Sequence, residues 1–267
     1  METTYQSLVA SLKEMGAALV AFSGGVDSTL LLAAAQDALG DAVLAVTATS
    51  PTFPAHDFES ARTIASQLDV RWVTVETNEL DDHLFRANPP NRCYLCKKKL
   101  FSLLLEKARE EGMPSVIEAT NVDDLSDFRP GLMALRELGI RSPFVELGIN
   151  KKDIRRLAKE RGLQNWDRPS SACLASRIPY GEEITLQRLE RIARAEASLR
   201  NLDFRQVRVR DHGSLARIEL VPDDLDRLLD SPLLHAVVKA CKEAGYAYVT
   251  LDLQGYRTGS MNETLKE

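Results

Sequence analysis

A glycine-containing turn between an apolar strand and a helix constrains the fold of this chain most. The six residues Ser23-Gly24-Gly25-Val26-Asp27-Ser28 follow an apolar run over 17–22, which predicts a buried strand, and lead into a predicted helix over 28–39. Two glycines let the backbone turn sharply and come close to an anion. The hydroxyl groups of Ser23 and Ser28 and the N–H groups of the helix N-terminus add hydrogen-bond donors. The turn therefore predicts a phosphate-binding loop.

Asp27 brings a negative charge to this loop, and a magnesium ion between its carboxylate and the phosphates resolves that conflict. The segment lacks the lysine of the G-x-x-x-x-G-K-[ST] motif, which excludes a standard P-loop kinase or ATPase. It also lacks the spacing of the dinucleotide-binding fingerprint. The alternative interpretation is a plain strand-to-helix turn in which Asp27 and Ser28 cap the helix.

Predicted strands and helices alternate through the first part of the chain. Three further strands are predicted over 42–48, 71–75 and 115–119. Helices are predicted over 54–68, 93–110 and 151–161. Continuous apolar strands separated by helices predict an α/β fold with a parallel sheet covered by helices on both faces. In such a sheet, ligands bind beyond the carboxyl ends of the strands.

The pattern changes after an irregular stretch over 168–181. The rest of the chain predicts helices over 185–199, 223–229 and 232–244, and strands over 204–210, 214–220 and 246–251. Asp211-His212-Gly213 predicts a hairpin turn between the first two of these strands. We therefore expect an α/β domain over 1–168, a cysteine-bearing active-site loop over 169–184, and a smaller α+β domain over 185–267.

The composition excludes some classes of protein. The chain is 44% apolar and 27% charged, with a net charge of −5 and a pI near 5.6. This excludes a strongly basic nucleic-acid binder at the level of the whole chain. The apolar stretches are too short to span a bilayer, and the first residues lack the basic start and apolar core of a secretory signal. We expect a cytoplasmic protein with no membrane partner.

Four cysteines carry the next constraint, since a reducing cytoplasm disfavours structural disulfides. Cys93 and Cys96 lie at i and i+3 in the first turn of a predicted helix, whose N-terminus favours thiolates. The pair alone fits half a zinc site, a redox pair or part of an iron–sulfur site. Cys173, near Arg177 in a hydroxyl-rich loop, fits a reactive thiol or an inert one, and Cys241 fits core packing.

The six-residue turn resembles the S-G-G-x-D-S signature of the PP-loop ATP pyrophosphatases. In that family the loop holds the pyrophosphate part of ATP, and the enzyme transfers AMP to an oxygen of its substrate. A second nucleotide-side loop is expected after the fourth strand, at 118–124, although Asn121 and Asp124 there also fit helix capping and turn formation. The resemblance implies ATP, Mg²⁺ and these nucleotide-binding residues: Ala21, Ser23, Gly24, Gly25, Asp27, Ser28, Ala48, Thr120, Asn121 and Asp124.

Three of the cysteines can be interpreted together once this loop is recognised. Cys93, Cys96 and Cys173 supply three thiolates, which can hold a [4Fe–4S] cluster and leave one iron open. An open iron can carry a further ligand such as sulfide. PP-loop enzymes that thiolate tRNA are similar in using a three-cysteine cluster.

Two arginines share one face of a predicted strand in the C-terminal part. Arg208 and Arg210 lie two residues apart, as do Arg217 and Glu219 in the next strand. If the hairpin closes through 211–214, Arg208 lies near Arg217, and like charges opposite one another destabilise a sheet. A substrate anion or Glu219 would compensate them. The alternative is a solvated face with ordinary salt bridges.

Four segments together resemble the LarE family, the ATP-dependent sulfur transferases that build the nickel-pincer cofactor of lactate racemase. They are N-P-P-N-R-C at 88–93, C-L-A-S-R-I-P-Y-G at 173–181, V-R-V-R at 207–210 and G-Y-R-T-G-S-M-N at 255–262. The resemblance covers nearly the whole chain. It implies a pyridinium mononucleotide with two carboxylates as substrate, thiocarboxylates as product, and a homo-oligomer, with a hexamer as the candidate assembly.

Site residues follow from the same resemblance. Cys173 lies where the family has its sulfur-donor cysteine, and Asp27, Ser176 and Arg177 join it as expected catalytic residues. Arg208, Arg210, Glu196 and Glu219 are expected near the substrate phosphate or an associated metal.

The source of the sulfur divides the family. One version sacrifices the sulfur of its single cysteine and leaves dehydroalanine, whereas Cys93 and Cys96 here resemble the cluster-bearing variant, in which sulfide on a [4Fe–4S] cluster is the donor. We expect the cluster version, with the sacrificial version as the alternative. A tRNA-thiolating PP-loop enzyme, an amidotransferase-like ligase and a zinc-stabilised ATP-binding regulatory module are the rival functions, and nucleic acid is not an expected partner.

Overall fold

A computed structural model describes residues 4–126, 130–228 and 231–265. The chain divides into two compact units. The first unit comprises Met1–Thr77 and Asn91–Ser171, and the second comprises Asn78–Pro90 and Ala172–Glu267. The stretch expected as a separate active-site loop, 169–184, thus contributes its first three residues to the first unit and the rest to the second, and the three-domain division remains a prediction.

The first unit is built around a four-stranded parallel sheet with strand order β3-β2-β1-β4. The strands are β1 (Ala18–Ala21), β2 (Val43–Thr49), β3 (Arg71–Glu76) and β4 (Ser115–Ile117). The helices of this unit are α1 (Tyr5–Lys13), α2 (Val26–Leu39), α3 (Ala55–Gln67), α5 (Arg92–Glu110), α6 (Gly131–Glu137), α7 (Pro143–Glu146) and α8 (Lys151–Glu160), and α4 (His83–Arg86) belongs to the second unit.

Helices cover both faces of this sheet because the apolar strand residues alternate between two cores. Val20 of β1 packs with α1, α2 and α8 in one core, whereas its neighbour Leu19 packs with α5 and α6 in the other. Strands buried on both faces need continuous apolar sequence. The predicted α/β fold with a parallel sheet is confirmed, and β4 ends two residues earlier than predicted because Glu118 and Ala119 already belong to a loop.

A three-stranded mixed sheet organises the second unit. Its strands are β5 (Val207–His212), β6 (Leu215–Leu220) and β7 (Tyr248–Leu251), and its helices after α4 are α9 (Leu186–Arg200), α10 (Pro222–Leu228) and α11 (Ser231–Ala244). β5 pairs antiparallel with β6, and β6 pairs parallel with β7. The residues 78–90 join this unit through Asn88, whose side-chain amide donates to the carbonyl oxygens of Ile178 and Pro179.

The predicted hairpin register was wrong by two residues. β5 continues to His212, the turn consists of Gly213 and Ser214, and Arg208 therefore pairs with Glu219 rather than lying opposite Arg217. Asp211 stays in the strand because its buried carboxylate accepts hydrogen bonds from side chains of the same unit. Gly213 has the positive φ, +68°, that a tight hairpin turn requires.

Across the described ranges, each helix is too short or too polar to cross a bilayer.

Candidate functional site

The loop between β1 and α2 forms a tight cradle of hydroxyl and amide groups. Ser23 Oγ and Ser28 Oγ lie 3.0 Å apart, and Ser28 Oγ donates to the Gly25 carbonyl oxygen at 3.1 Å. The Gly25 N–H makes a long contact, 3.4 Å, with Ser23 Oγ. A helix N-terminus with such donors attracts an anion through its amides and its dipole.

Gly24 is required for the shape of this cradle. Its φ is +72°, and a Cβ atom there would lie 2.8 Å from the backbone nitrogen of Ala61 in α3. Gly25 has an ordinary φ of −75°, and the atom nearest to its Cβ position is Ser23 Oγ at 3.5 Å. The first glycine therefore serves the backbone conformation and the contact with α3.

Asp27 lies in the first turn of α2 and forms an ion pair with Lys151, the first residue of α8. Lys151 Nζ lies 2.7 Å from Asp27 Oδ1 and 2.5 Å from Oδ2. Burial raises the pKa of the Asp27 carboxyl, Lys151 opposes that change, and the neighbouring charge of Asp124 adds to it. A carboxylate at this position, with a second one nearby, is the hard oxygen donor set that Mg²⁺ prefers.

The segment after β4 brings further polar groups to the carboxyl end of the sheet. Asp124 Oδ2 accepts the Asn121 N–H at 3.0 Å, and Asn121 Oδ1 accepts the Asp123 N–H at 3.0 Å. Glu118 is buried, and accepts hydrogen bonds from Thr120 Oγ1 at 2.7 Å and from Ser142 Oγ. The turn-forming role considered for Asn121 and Asp124 is thus present, beside the proximity of Asp124 to Asp27.

Ala21 and Ala48 lie at the ends of neighbouring strands. Ala21 is the last residue of β1 and pairs with Val46, two residues before Ala48 in β2. Both side chains are partly buried. Their role in nucleotide binding remains a prediction.

The Cys173 segment of the second unit has a fixed backbone and an exposed side chain. The Cys173 carbonyl oxygen accepts hydrogen bonds from the Ser176 N–H, Ser176 Oγ and Arg177 Nη1 at 3.0, 2.8 and 3.0 Å. Arg177 Nη1 also donates to the Ala172 carbonyl oxygen at 2.6 Å. The Cys173 thiol itself is exposed.

Arg177 is held in turn by Glu196 of α9, and both side chains are almost completely buried. Nε and Nη2 of Arg177 donate to the two carboxylate oxygens of Glu196 at 2.8 and 3.0 Å. Burial opposes both charges, but each partner outweighs it, so the pKa of Arg177 is raised and that of Glu196 is lowered. The Val209 N–H also donates to Glu196, at 3.1 Å. Glu196 therefore anchors the Cys173 segment to α9 and β5.

Arg210 and Glu219 form a second buried ion pair across the hairpin. Arg210 Nη2 lies 2.6 Å from Glu219 Oε2, and Arg210 Nη1 donates to the Ser176 carbonyl oxygen at 3.1 Å. Ser260 Oγ donates to the other oxygen of Glu219 at 3.0 Å. Arg217, opposite Arg210 in the register, lies 3.6 Å from Glu219. The like charges do face one another, at Arg210 and Arg217, and Glu219 compensates both.

Arg208 lies in the same buried group. Its guanidinium stacks over the Tyr256 ring at 5.3 Å and donates to the Val207 carbonyl oxygen at 2.9 Å. Burial, together with the positive charges of Arg177 and Arg210, lowers the pKa of Arg208 to about 10. An anion bound near these arginines would relieve that repulsion.

Relatives match this chain over most or nearly all of its length. A family model described as NAD synthase matches residues 1–105. An uncharacterized protein of Synechocystis sp. is 43% identical over 265 residues, 99% of each chain, and one of Methanocaldococcus jannaschii is 32% identical over 240 residues, 90% of each. The pyridinium-3,5-bisthiocarboxylic acid mononucleotide synthase of Lactiplantibacillus plantarum is 40% identical over 266 residues, 99% of this chain and 96% of that protein.

The chain belongs to the LarE family of PP-loop sulfur transferases. It is therefore an enzyme of the PP-loop type, and the family implies the use of ATP. The match to the NAD synthase model ends within α5, so it covers the cradle but not Cys173 or the buried arginines.

The three cysteines expected to act together lie in different units of this LarE-family chain. Cys93 is exposed and Cys96 is partly buried in the first turn of α5, in the first unit, whereas Cys173 belongs to the second. Among residues 4–126, 130–228 and 231–265, no group of three or more His, Cys, Asp or Glu side chains is gathered closely enough to hold a metal ion.

Sequence reasoning missed a group of polar residues around the cradle. Lys151 neutralises Asp27, and Asn165 and Arg168 both donate to the Gly24 carbonyl oxygen. The loop motif lacks a lysine, and a search for a basic residue in the first turn of a later helix would have pointed to Lys151 after Asn150. Asn165 and Arg168 lie outside regular structure and carry no comparable signal.

Proposed function

We propose that this chain is an ATP-dependent sulfur transferase that converts the carboxylates of a pyridinium-3,5-dicarboxylate mononucleotide to thiocarboxylates for the nickel-pincer cofactor of lactate racemase. The observation that carries the proposal is the exposed Cys173 thiol, whose backbone carbonyl oxygen accepts a hydrogen bond from Arg177. The same chain contains the cradle, which is proposed to bind ATP. The name of the L. plantarum relative, a pyridinium-3,5-bisthiocarboxylic acid mononucleotide synthase, supplies the substrate class.

Adenylation is the first step because a carboxylate has no leaving group at its carbon. A carboxylate oxygen attacks the α-phosphorus of ATP, the bond from that phosphorus to the bridging oxygen breaks, and pyrophosphate leaves. The hydroxyl groups of Ser23 and Ser28 and the amides of the cradle bind the departing pyrophosphate. Asp27 would hold Mg²⁺, which neutralises charge on the phosphates, and Lys151 is then released to contact a phosphate oxygen.

Sulfur transfer is the second step. A sulfur nucleophile attacks the carbonyl carbon of the acyl adenylate, AMP leaves, and a thiocarboxylate remains. We propose that Cys93, Cys96 and Cys173 are ligands of a [4Fe–4S] cluster, which supplies sulfide when it is bound. Arg177 and Ser176 hold the Cys173 backbone in place for this step.

The buried arginines of the second unit are proposed to bind the anionic mononucleotide. Arg177, Arg208 and Arg210 are all buried, and the positive charges of Arg177 and Arg210 act on Arg208. A phosphate group would offset this repulsion between guanidinium groups, and arginine suits its bidentate recognition.

A homo-oligomer, with a hexamer as the expected state, is proposed as the assembly. Tyr248 on the outer strand β7 is 66% exposed, and Leu253 after it is 88% exposed. Exposed apolar groups beside the outer strand of a sheet favour contact with another chain. Light scattering of the protein as it elutes from a size-exclusion column measures the molar mass of the assembly. A mass equal to that of the monomer contradicts this part of the proposal.

The decisive experiment compares wild type with Cys173→Ala under anaerobic conditions. Wild type, with ATP, Mg²⁺, sulfide and the dicarboxylate mononucleotide, should release pyrophosphate and form thiocarboxylate. Cys173→Ala should still release pyrophosphate but form no thiocarboxylate. Cys241→Ala, which alters a buried core cysteine, is the matched control and should retain both activities. Full thiocarboxylate formation by Cys173→Ala, or thiolation of tRNA in place of the mononucleotide, overturns the proposal.

Iron and acid-labile sulfide content distinguish the two sulfur sources. About four irons per chain, lost in Cys93→Ser, support the cluster. Iron-free protein that is active once and becomes lighter by one H₂S contradicts the cluster and makes Cys173 a consumed donor.

A further inference from the structure

The carbonyl oxygen of Gly24, inside the nucleotide cradle, accepts two hydrogen bonds from one later segment. We call residues 165–171 the strap. Asn165 Nδ2 donates to this oxygen at 3.2 Å, and Arg168 Nη1 donates to it at 3.3 Å. Both residues lie more than a hundred positions after Gly24 in the sequence, and neither has a part in the steps described above.

The direction of one cradle N–H follows from these two bonds. The carbonyl of Gly24 and the N–H of Gly25 belong to the same peptide group, and in a planar trans peptide they point in opposite directions. Donors that fix the carbonyl oxygen therefore fix the N–H on the other side. The Gly25 N–H makes a 3.4 Å contact with Ser23 Oγ, which is long for a hydrogen bond, so a phosphate oxygen can replace that acceptor. A charged donor on the carbonyl also polarises the N–H and strengthens its bond to an anion.

Arg168 is itself held in place from the other side. Its Nη2 donates to Asp57 Oδ1 at 2.8 Å and its Nη1 donates to Ser60 Oγ at 2.5 Å, both at the start of α3. Asp57 is buried, and its other oxygen accepts a hydrogen bond from Ser171 Oγ at 2.5 Å. A buried aspartate with these partners fixes the guanidinium toward Gly24.

Asn165 also connects the strap to α2, the helix that follows the cradle. The same Nδ2 group donates to Thr29 Oγ1, in the first turns of α2, at 2.9 Å. The strap thus connects the cradle, α2 and α3 within the first unit. Ser171, at its end, precedes Cys173 by two residues.

We propose that Arg168, assisted by Asn165, is a positioning residue that orients the Gly24–Gly25 peptide toward the pyrophosphate group of ATP. This inference rests on the proposed use of ATP and adds residues to it. If the strap only stabilised the fold, loss of its bonds to Gly24 would leave the affinity for pyrophosphate unchanged. We expect that affinity to fall.

The test measures the affinity for inorganic pyrophosphate and for ATP by calorimetry, without the mononucleotide. Arg168→Met should bind both about tenfold more weakly or worse, because a charged hydrogen bond behind the peptide is lost. Arg168→Lys keeps the charge with fewer donors and should recover part of the affinity. In turnover, the KM for ATP should rise more than kcat falls.

Arg155→Lys is the matched control for Arg168→Lys. Arg155 donates to the carbonyl oxygens of Trp166 and Arg168, so it supports the backbone of the strap without touching Gly24. Its positive charge also acts on Asp27, and lysine keeps that charge while it removes donors to the strap. The pyrophosphate affinity of Arg155→Lys should stay within about twofold of wild type, even where thermal unfolding shows a similar loss of stability. Equal weakening in Arg155→Lys and Arg168→Lys overturns the positioning role. Should Arg168→Met fail to fold, unchanged pyrophosphate affinity in folded Arg168→Lys and Asn165→Ala overturns it too.

Absence of ATP and pyrophosphate binding in wild type would instead overturn the proposed function itself, so the two failures are distinguishable.

Discussion

The cradle of the first unit and the arginine network of the second unit handle buried charge in different ways. In the cradle, the side chains of Lys151 and Asp27 are each 27% exposed. In the network, Glu196 and Glu219 are completely buried, and each accepts bonds from two or more donors. A partly exposed ion pair exchanges partners at low cost, whereas breaking a buried pair leaves an uncompensated charge.

The difference shows which parts of the site are built to change. The Lys151–Asp27 pair is suited to open when a nucleotide and a metal ion arrive. The Arg177–Glu196 pair is suited to keep one geometry, and it holds the Cys173 backbone by that means. Substitutions that remove one charge from each pair measure how far this contrast extends.

Glu196→Gln should have the largest effect. It leaves Arg177 buried without a charged partner, so the free energy of unfolding should fall by about 3–5 kcal/mol. Urea unfolding at neutral pH measures this change. Glu190→Gln is the control on the same helix, because Glu190 and its ion-pair partner Arg194 are both exposed. That pair should contribute at most about 1 kcal/mol to the free energy of unfolding. Similar losses in both variants would remove the contrast between buried and exposed pairs.

The same residue predicts a pH dependence. Burial raises the pKa of Glu196, but Arg177, Arg208 and the Val209 N–H outweigh it and hold the pKa below the ordinary value. Its stabilising contribution is therefore complete above the pKa of the unfolded chain, about 4.3, and is lost as the pH falls through the lower folded value. The free energy of unfolding of wild type should therefore fall as the pH is lowered into the acid range. That of Glu196→Gln should fall less steeply with pH.

Gly24→Ala should have the next largest effect, confined to the cradle. The residue has a positive φ and its Cβ would meet the backbone of Ala61, so the free energy of unfolding should fall by about 2 kcal/mol or more. Gly25→Ala, at an ordinary φ, should stay within about 1 kcal/mol of wild type. Denaturant unfolding compares the two, and equal losses would show that the cradle backbone adapts.

The sequence predicted the sheet and the cradle because both depend on local patterns. Apolar runs identified the four parallel strands, and six consecutive residues identified the loop before α2. The residues that complete the cradle come from distant positions: Lys151 meets Asp27 across 124 residues. The hairpin register failed for a similar reason, since Asp211 is kept in β5 by bonds from Arg188 and Arg191, and no local turn rule contains them.

The buried network shows the same limit in another form. Arg177, Arg210, Glu196 and Glu219 were all expected at the site through the family resemblance, but their pairing was not predicted. Arg177 pairs with Glu196 and Arg210 pairs with Glu219 because α9 and the hairpin pack against the Cys173 segment. Packing of elements decides such partners, and it is absent from any single stretch of sequence.

Lys151→Met should have a moderate effect on nucleotide binding. It leaves the Asp27 carboxylate without its counter-ion beside the phosphates, so the affinity for ATP should fall by about tenfold without Mg²⁺ and by less with it. Calorimetry with and without Mg²⁺ measures both values. Lys152→Met removes the same charge from an exposed neighbour and should change neither value by more than about twofold. An equal effect from Lys152→Met would assign the loss to overall charge.

The smallest expected effect distinguishes a core cysteine from a site cysteine within the second unit. Cys241 is fully buried in α11, and burial raises the pKa of its thiol to about 11, whereas the Cys173 thiol is exposed. In cluster-free folded protein, iodoacetamide should therefore label Cys173, and it should label Cys241 only after unfolding, because the thiolate is the reactive form. Peptide mapping at increasing urea measures both rates. Cys241→Ala should cost only about 1 kcal/mol of stability, and labelling of Cys241 at the rate of Cys173 would mean that the core around α11 opens without global unfolding.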